Sequence, residues 1–182
     1  PSLLSNCEPA AGLFPSATLQ IARKGAERAY TLIDGFADAA VTNKGLLKAT
    51  VKAYGAYATL ALGEGFCEAV LTPGQVQPAS AALQAAEAQF TDAITLATAA
   101  NNTDLLNMAR VGRARVRLDL GNFAGARTDA AAVPAGYTKL ATRGAGERQR
   151  WNLVFELQNN IGSATNRHGS VANNYRGVTW QS

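Results

Sequence analysis

Apolar positions follow a helical period through the first three quarters of the chain. Ser16 is a suitable N-cap for a first helix that runs to about Phe36. Asn43 is expected to cap a second helix, which ends at Gly63 or Gly65. The row predicted to be buried on the first helix consists of Ile21, Ala22, Ala26, Ala29, Ile33 and Phe36. On the second helix the predicted row consists of Leu47, Val51, Tyr54, Ala58 and Ala61.

A loop and three further helices are predicted downstream. The segment VLTPGQVQP at 70–78 contains two prolines and a glycine, which favours a loop. The third helix opens at Ser80 and continues to the Asn101-Asn102 pair. Thr103 is expected to cap the fourth helix. The predicted buried row of the third helix is Leu83, Ala86, Phe90, Ala93, Ile94 and Ala97.

The stretch from Leu105 to Pro134 is the most informative part of the sequence, because it predicts two antiparallel helices. A Gly121-Asn122 turn separates them, with Asn122 beginning the fifth helix, and Pro134 ends the second of the pair. Small residues are placed where the two helices must approach closely, namely Ala109, Gly112, Ala126 and Ala130. This pattern is typical of a tetratricopeptide-type hairpin.

A weak internal repeat supports the same interpretation. The segment QFTDAITLA at 89–97 is similar to NFAGARTDA at 122–130, which places Phe90 and Phe123 one repeat of about 34 residues apart. The predicted fold is therefore mainly α, with about five helices in tetratricopeptide-like antiparallel hairpins. A loop-rich C-terminal tail with at most a short strand follows.

The domain organisation is predicted to be a single domain over 1–182. Residues 1–15 contain three prolines and form an irregular arm, 16–134 form the helical repeat scaffold, and 135–182 form the loop-rich tail. Within the tail, WNLVFELQ at 151–158 alternates like a short strand. Because the chain starts at Pro1, we expect it to be a piece of a longer precursor.

Two cysteines, Cys7 and Cys67, are too far apart and too isolated from other ligands to suggest a metal site. Two unrelated buried thiols, or one disulfide that ties the arm to the end of the second helix, remain as alternatives. We favour the disulfide, which requires an oxidising compartment.

The distribution of charge along the chain argues against a nucleic-acid-binding protein. The net charge is +4, and the 17 basic residues are spread over the whole chain, whereas nucleic-acid binders concentrate charge on one face. The densest group is Arg110, Arg113, Arg115 and Arg117, which we interpret as a solvated helix face. Since there is no run of 18 apolar residues, no transmembrane segment is predicted.

Catalytic motifs are missing from the sequence. It contains no GxSxG and no GxxxxGK[ST], and His168, its single histidine, follows Asn166-Arg167 in a polar segment without an orienting partner. We therefore predict no enzymatic activity, no cofactor and no metal.

The tail aromatics Trp151, Tyr175 and Trp180 are the candidate ligand-binding residues. Their flat rings can stack on sugar rings, and many Asn, Gln and Arg residues surround them. The alternative is that these rings pin the tail onto the helices.

Three groups of residues together resemble the SusD/RagB family. They are LGEGFC at 62–67, LNMARVGRARVRLDLGNFAGARTDAAAVPAGY at 106–137, and RWNLVFELQNNIGS at 150–163 followed by YRGV. The resemblance implies a tetratricopeptide-like scaffold in an outer-membrane surface lipoprotein that captures glycans or other nutrients and caps a TonB-dependent transporter barrel, without catalytic residues. Family members are usually more than twice this long, Cys7 is not in a lipobox, and no ligand residue can be carried over.

Two functions are predicted, the first from the resemblance and the second from the helical repeats. The first is an exported, non-catalytic binding protein at the bacterial outer-membrane surface or outside the cell, with a glycan or small nutrient ligand and the transporter barrel as partners. The second is a self-assembling subunit of a filament or homo-oligomer, joined through the arm and the tail, because open-ended helical repeats expose apolar end faces. A peptide-binding adaptor is a third alternative.

Overall fold

The computed structural model describes residues 16–141, and this part of the chain is mainly helical, as predicted. Its elements are α1 (Ser16–Gly35), α2 (Lys44–Gly65), β1 (Glu68–Thr72), β2 (Gln75–Pro78), α3 (Ala79–Ala99), α4 (Thr103–Asp119) and α5 (Phe123–Ala131). A single 3-10 turn at Asp38–Ala40 joins α1 to α2. The chain divides into two units, Pro1–Tyr137 and Thr138–Ser182, and all of these elements belong to the first. The division into arm, scaffold and tail of one domain stays a prediction.

Consecutive helices pack against each other along the whole series from α1 to α5, and α2 also contacts α4. Contacts between helices that follow each other in sequence are typical of a stack of helical hairpins. The fold class predicted from the sequence is confirmed. The short strand predicted at 151–158 lies outside the described residues.

The core is built largely from alanine, with a few large side chains between the helices. Phe90 of α3 is fully buried, and its ring meets the ring of Tyr57 on α2 edge to face at 4.9 Å. On the other side it lies against Gly112 of α4, where an added Cβ would come within 2.3 Å of the ring. The burial of Phe90 is therefore confirmed, whereas Gly112 makes its close contact with α3 and not with α5, the helix that the sequence predicted as its partner.

Burial on α1 and α2 differs from the prediction. Ile21 is 73% exposed and Phe36 55%, and Tyr54 of α2 is also exposed. Of the row predicted on α2 only Ala58 is buried, and the main buried row is Ala49, Ala53, Ala56 and Leu60. Both helices carry small residues on several faces, so an alanine row packs inside and leaves larger side chains in solvent.

The internal repeat is not reflected in burial. Phe123, which matches Phe90 in sequence, is the first residue of α5 and is 68% exposed, whereas Phe90 lies in the middle of α3. Ala130 is exposed as well, so it does not make the close contact that its size suggested. α5 is only nine residues long and no described helix packs on its outer side.

A β-hairpin occupies 68–78, where a loop was predicted. β1 and β2 are antiparallel, with Val70 opposite Val76, and Pro73 and Gly74 form the turn between them. Gly74 has φ +79°, which glycine adopts without strain, while Pro73 pre-sets the preceding φ. Of the three residues that favoured a loop, Pro73 and Gly74 lie in the turn and Pro78 is the last residue of β2. Ala69 packs with Leu62 and Ala82.

Asparagine side chains cap two helices. The Oδ1 atom of Asn102 accepts from the Leu105 amide at 2.8 Å, and that of Asn122 accepts from the Gly125 amide at 3.0 Å. Thr103, which was expected to cap α4, is its first helical residue. Asn43 is the N-cap residue of α2, as predicted, but with φ +56° its side chain makes no capping hydrogen bond.

Candidate functional site

The residues predicted to bind ligand, Trp151, Tyr175 and Trp180, lie outside the described residues, as does Cys7. Cys67 is disulfide-bonded. Its pairing with Cys7 stays a prediction.

Within the described part of the chain, a groove of about 220 Å³ lies between α1, α2 and α3. It forms beside the point where Ala26 of α1 meets Gly55 of α2, and a Cβ at Gly55 would come within 2.8 Å of the Cβ of Ala26. The side chains that give the groove its chemistry are Arg23, Glu27, Tyr30, Thr31, Lys52 and Gln89. No sequence motif marks them, because they come from three separate helices.

Arg23 is only 5% exposed and makes hydrogen bonds in three directions. Its Nη1 donates to Glu27 Oε1 at 2.7 Å, and its Nη2 donates to the carbonyl oxygen of Leu71 at 3.0 Å. Nε and Nη2 both donate to Gln20 Oε1, and Gln20 Nε2 donates to the carbonyl oxygen of Val70. Arg23 therefore joins the buried end of the groove to β1.

Tyr30 lies between two lysines of α2. The Nζ atoms of Lys48 and Lys52 are 5.0 and 4.8 Å from the centre of its ring, within cation–π range. Lys52 also pairs with Asp92 of α3 at 3.0 Å, and Lys48 pairs with Asp34. The hydrogen bond from Lys48 lowers the pKa of Asp34 below its usual value and raises the pKa of Lys48.

Gln89 differs from its neighbours in the groove because its Oε1 atom is buried and accepts no hydrogen bond from any described residue. A buried amide oxygen without a donor costs about 1–3 kcal/mol. The Gln89 oxygen is thus an unsatisfied acceptor that is closed off from solvent.

The arginines of α4 are not the solvated face expected from the sequence. Arg113 donates to both carboxylate oxygens of Asp129 at 2.7 and 2.8 Å, and Arg117 donates to Asp129 at 2.9 Å and to Glu87 at 2.7 Å. Asp129 is 3% exposed. Arg113 and Arg117 therefore hold α3, α4 and α5 together, because their carboxylate partners come from α3 and α5, whereas the side chain of Arg115 is 58% exposed.

The segments that resemble the SusD/RagB family contact one another. Glu64 of GEGFC accepts both hydrogen bonds of the Arg115 guanidinium, and Gly63 lies so close to Leu83 that a Cβ would meet it at 2.8 Å. Near the end of the second segment, the Tyr137 hydroxyl donates to the carbonyl oxygen of Asp104 at 2.8 Å. These residues shape the scaffold.

The chain matches no protein-family model, no curated protein and no solved structure.

None of the helices in residues 16–141 has the length and apolar character needed to cross a bilayer, which agrees with the prediction of no transmembrane segment. No three His, Cys, Asp or Glu side chains in that range are grouped so that they could hold a metal ion.

Proposed function

We propose that this chain is a non-catalytic surface binding protein of the SusD type, which captures a glycan or another nutrient for a TonB-dependent outer-membrane transporter. The main support is the Glu64–Arg115 ion pair. It joins GEGFC to the long segment at 106–137, through two residues that are 51 positions apart in sequence. A protein that shares both segments would share the contact between α2 and α4, and hence this scaffold.

The charge distribution adds support for a passive platform. Arg113, Arg115 and Arg117 are paired with carboxylates of the scaffold, and so are Lys48 and Lys52. Cations already held in ion pairs gain little from a phosphate backbone. We therefore expect recognition to depend on hydrogen bonds and stacking, with Trp151, Tyr175 and Trp180 as the proposed contact residues.

A glycan-array screen of the full chain, followed by calorimetry with the best ligand, tests this proposal. Changing Tyr175 or Trp180 to Ala should weaken binding about tenfold, the size of one lost stacking contact. Phe123→Ala is the matched control, because Phe123 is an exposed aromatic on α5. An array without a single bound glycan or other nutrient would contradict the proposal.

Self-assembly is the second candidate, and the outer side of α1 favours it. Ile21 and Leu32 on that helix, and Phe36 directly after its last residue, are all more than half exposed. A filament or homo-oligomer could bury them between copies. Light scattering over a range of protein concentrations measures the oligomeric state. Self-assembly predicts a mass that rises with concentration, and a monodisperse monomer at every concentration would rule it out.

A further inference from the structure

The disulfide of Cys67 attaches a second segment of chain to the scaffold. The sequence contains one other cysteine, Cys7, which offers itself as the partner from the same chain or from a second copy. Cys67 lies between the end of α2 and the start of β1, and its carbonyl oxygen accepts from the Ala79 amide at 2.9 Å. Either pairing would bring an N-terminal arm to the point where α2, the hairpin and α3 meet.

A small core, separate from the one around Phe90, lies at the same point. Its buried members are Leu62, Ala69 and Ala82. Leu19 of α1, Phe66 and Leu71 pack against these residues and are only partly buried. Phe66 is next to Cys67, and Leu19 is in the first turn of α1, so the disulfide and the beginning of α1 both adjoin this small core.

The Cys7 of the same chain is within reach of Cys67. Residues 8–15 join Cys7 to α1, and fully extended they span about 28 Å. Leu19 and Phe66, which mark the two ends of the gap to be crossed, pack against the same small core. The arm is therefore longer than this gap, and no second copy is needed to form the disulfide.

Phe14 is placed to cover the small core. Because α1 begins at Ser16, Phe14 stands one position before the N-cap, and Leu19 is the fourth helical residue. Apolar residues at these two positions often pack together as a hydrophobic staple, which fixes the direction of the chain entering a helix. Since Leu19 packs against the small core, the staple would bring the Phe14 ring beside that core.

We propose that Cys7 and Cys67 of the same chain form the disulfide, which straps residues 8–15 over the small core with Phe14 packed on Leu19. The strap is redox-sensitive. A dithiol reductant transfers two electrons and two protons to the two sulfurs and is itself oxidised to a disulfide. This reaction frees the arm and uncovers the apolar side chains beneath it. The inference does not rest on the SusD-like function.

Peptide mapping of the air-oxidised full chain by mass spectrometry tests the pairing. A linked peptide that contains Cys7 and Cys67 is expected from a protein of monomeric mass. Amide hydrogen exchange tests the strap. After reduction with dithiothreitol, exchange should become about tenfold faster in the first two turns of α1 and in β1–β2. Exchange in α3 and α4 should stay the same, which shows that the reduced chain remains folded.

Three variants separate the disulfide from the packing of the strap. Cys7→Ser should exchange like the reduced chain and should not respond to the reductant. Phe14→Ala should speed exchange at the beginning of α1 in the oxidised chain, because it removes the ring that covers Leu19. Leu3→Ala is the matched control, since Leu3 precedes Cys7 and lies outside the strap, and it should leave exchange unchanged.

The proposal is overturned by a disulfide-linked dimer, by two free thiols in the oxidised chain, or by equal exchange before and after reduction. Equal effects of Phe14→Ala and Leu3→Ala would also overturn it. A glycan array without a bound ligand leaves all of these measurements unaffected, so the strap and the proposed function fail separately.

Discussion

Two helix contacts in this scaffold use small residues in opposite ways. At the α3–α4 contact, Gly112 accepts the large ring of Phe90, and the space between the helices is filled. At the α1–α2 contact, Ala26 meets Gly55, small residue against small residue, and a groove remains beside them. A glycine opposite an aromatic ring gives a packed core, whereas a glycine opposite an alanine brings two backbones together and leaves room where polar side chains collect.

The largest effect is expected from a Gly→Ala substitution at the packed α3–α4 contact, and the same substitution at an unobstructed glycine of α1 is its control. Gly112→Ala should destabilise the fold by about 3 kcal/mol, because its Cβ would lie far inside contact distance of the Phe90 ring. Gly25→Ala on α1 should stabilise it by about 0.5–1 kcal/mol, since nothing lies within 4 Å of a Cβ there. Chemical unfolding of both variants measures the two values. Equal effects would show that the α3–α4 contact is not packed as described.

The next largest loss of stability is expected when the buried carboxylate of Asp129 is changed. Asp129→Asn keeps the shape of the side chain but leaves Arg113 and Arg117 without their shared charge partner. We expect a loss of about 2 kcal/mol, below the range for fully buried pairs because both arginines are partly exposed. Urea unfolding measures it. A change within 0.5 kcal/mol would mean that the arginines are solvated after all.

In the groove between α1, α2 and α3, Arg23→Met should lower the free energy of unfolding by about 1.5 kcal/mol. The carbonyl oxygen of Leu71 loses a charged donor, and Glu27 loses its buried partner. Amide hydrogen exchange should rise in the β1–β2 hairpin, which Arg23 joins to α1. Lys24→Met is the matched control, since it pairs with the same Glu27 from the surface and should change stability by about 0.5 kcal/mol or less. Similar costs for the two variants would contradict the role assigned to Arg23.

The smallest effect is expected at Tyr137, next to the end of the first unit. Burial, followed by the charge of Asp104 and the hydrogen bond to it, raises the pKa of Tyr137 from 10.0 to about 12. The folded state then holds this proton more tightly than the unfolded chain does. The stabilisation is complete below pH 10 and is lost as the pH rises to about 12.

Ultraviolet titration of the phenolate checks this, with Tyr137→Phe as the control. The variant should lack the tyrosine that titrates near pH 12 and should lose less stability than the unmodified chain between pH 10 and 12. If the two proteins show the same loss of stability in that window, Tyr137 is not the group responsible.

The buried residues of the α3–α4 contact could be predicted from the sequence. On α3 and α4, the large apolar residues Phe90, Met108 and Val116 recur at helical spacing between polar ones, so the period identifies the buried face. The buried row of α2 consists mostly of small residues such as Ala53 and Ala56, whereas large side chains such as Ile21 and Tyr54 are exposed. A period that counts the large apolar residues therefore assigned exposed positions of α1 and α2 to the core.

The polar features were not predictable, because they depend on contacts distant in sequence. Arg23 is buried against carbonyl oxygens 47 and 48 positions away, and Asp129 receives hydrogen bonds from Arg113 and Arg117 on another helix. The groove likewise combines residues of three helices. Spacing along one helix could show only that the α4 arginines share a face.

The most direct test of the central claim, a helical platform that binds without chemistry, is to incubate the full chain with its best array ligand and follow that ligand by NMR. The account predicts saturable binding, with the ligand recovered unchanged after prolonged incubation. Conversion of the ligand to product, or filaments that form without any ligand bound, would contradict it.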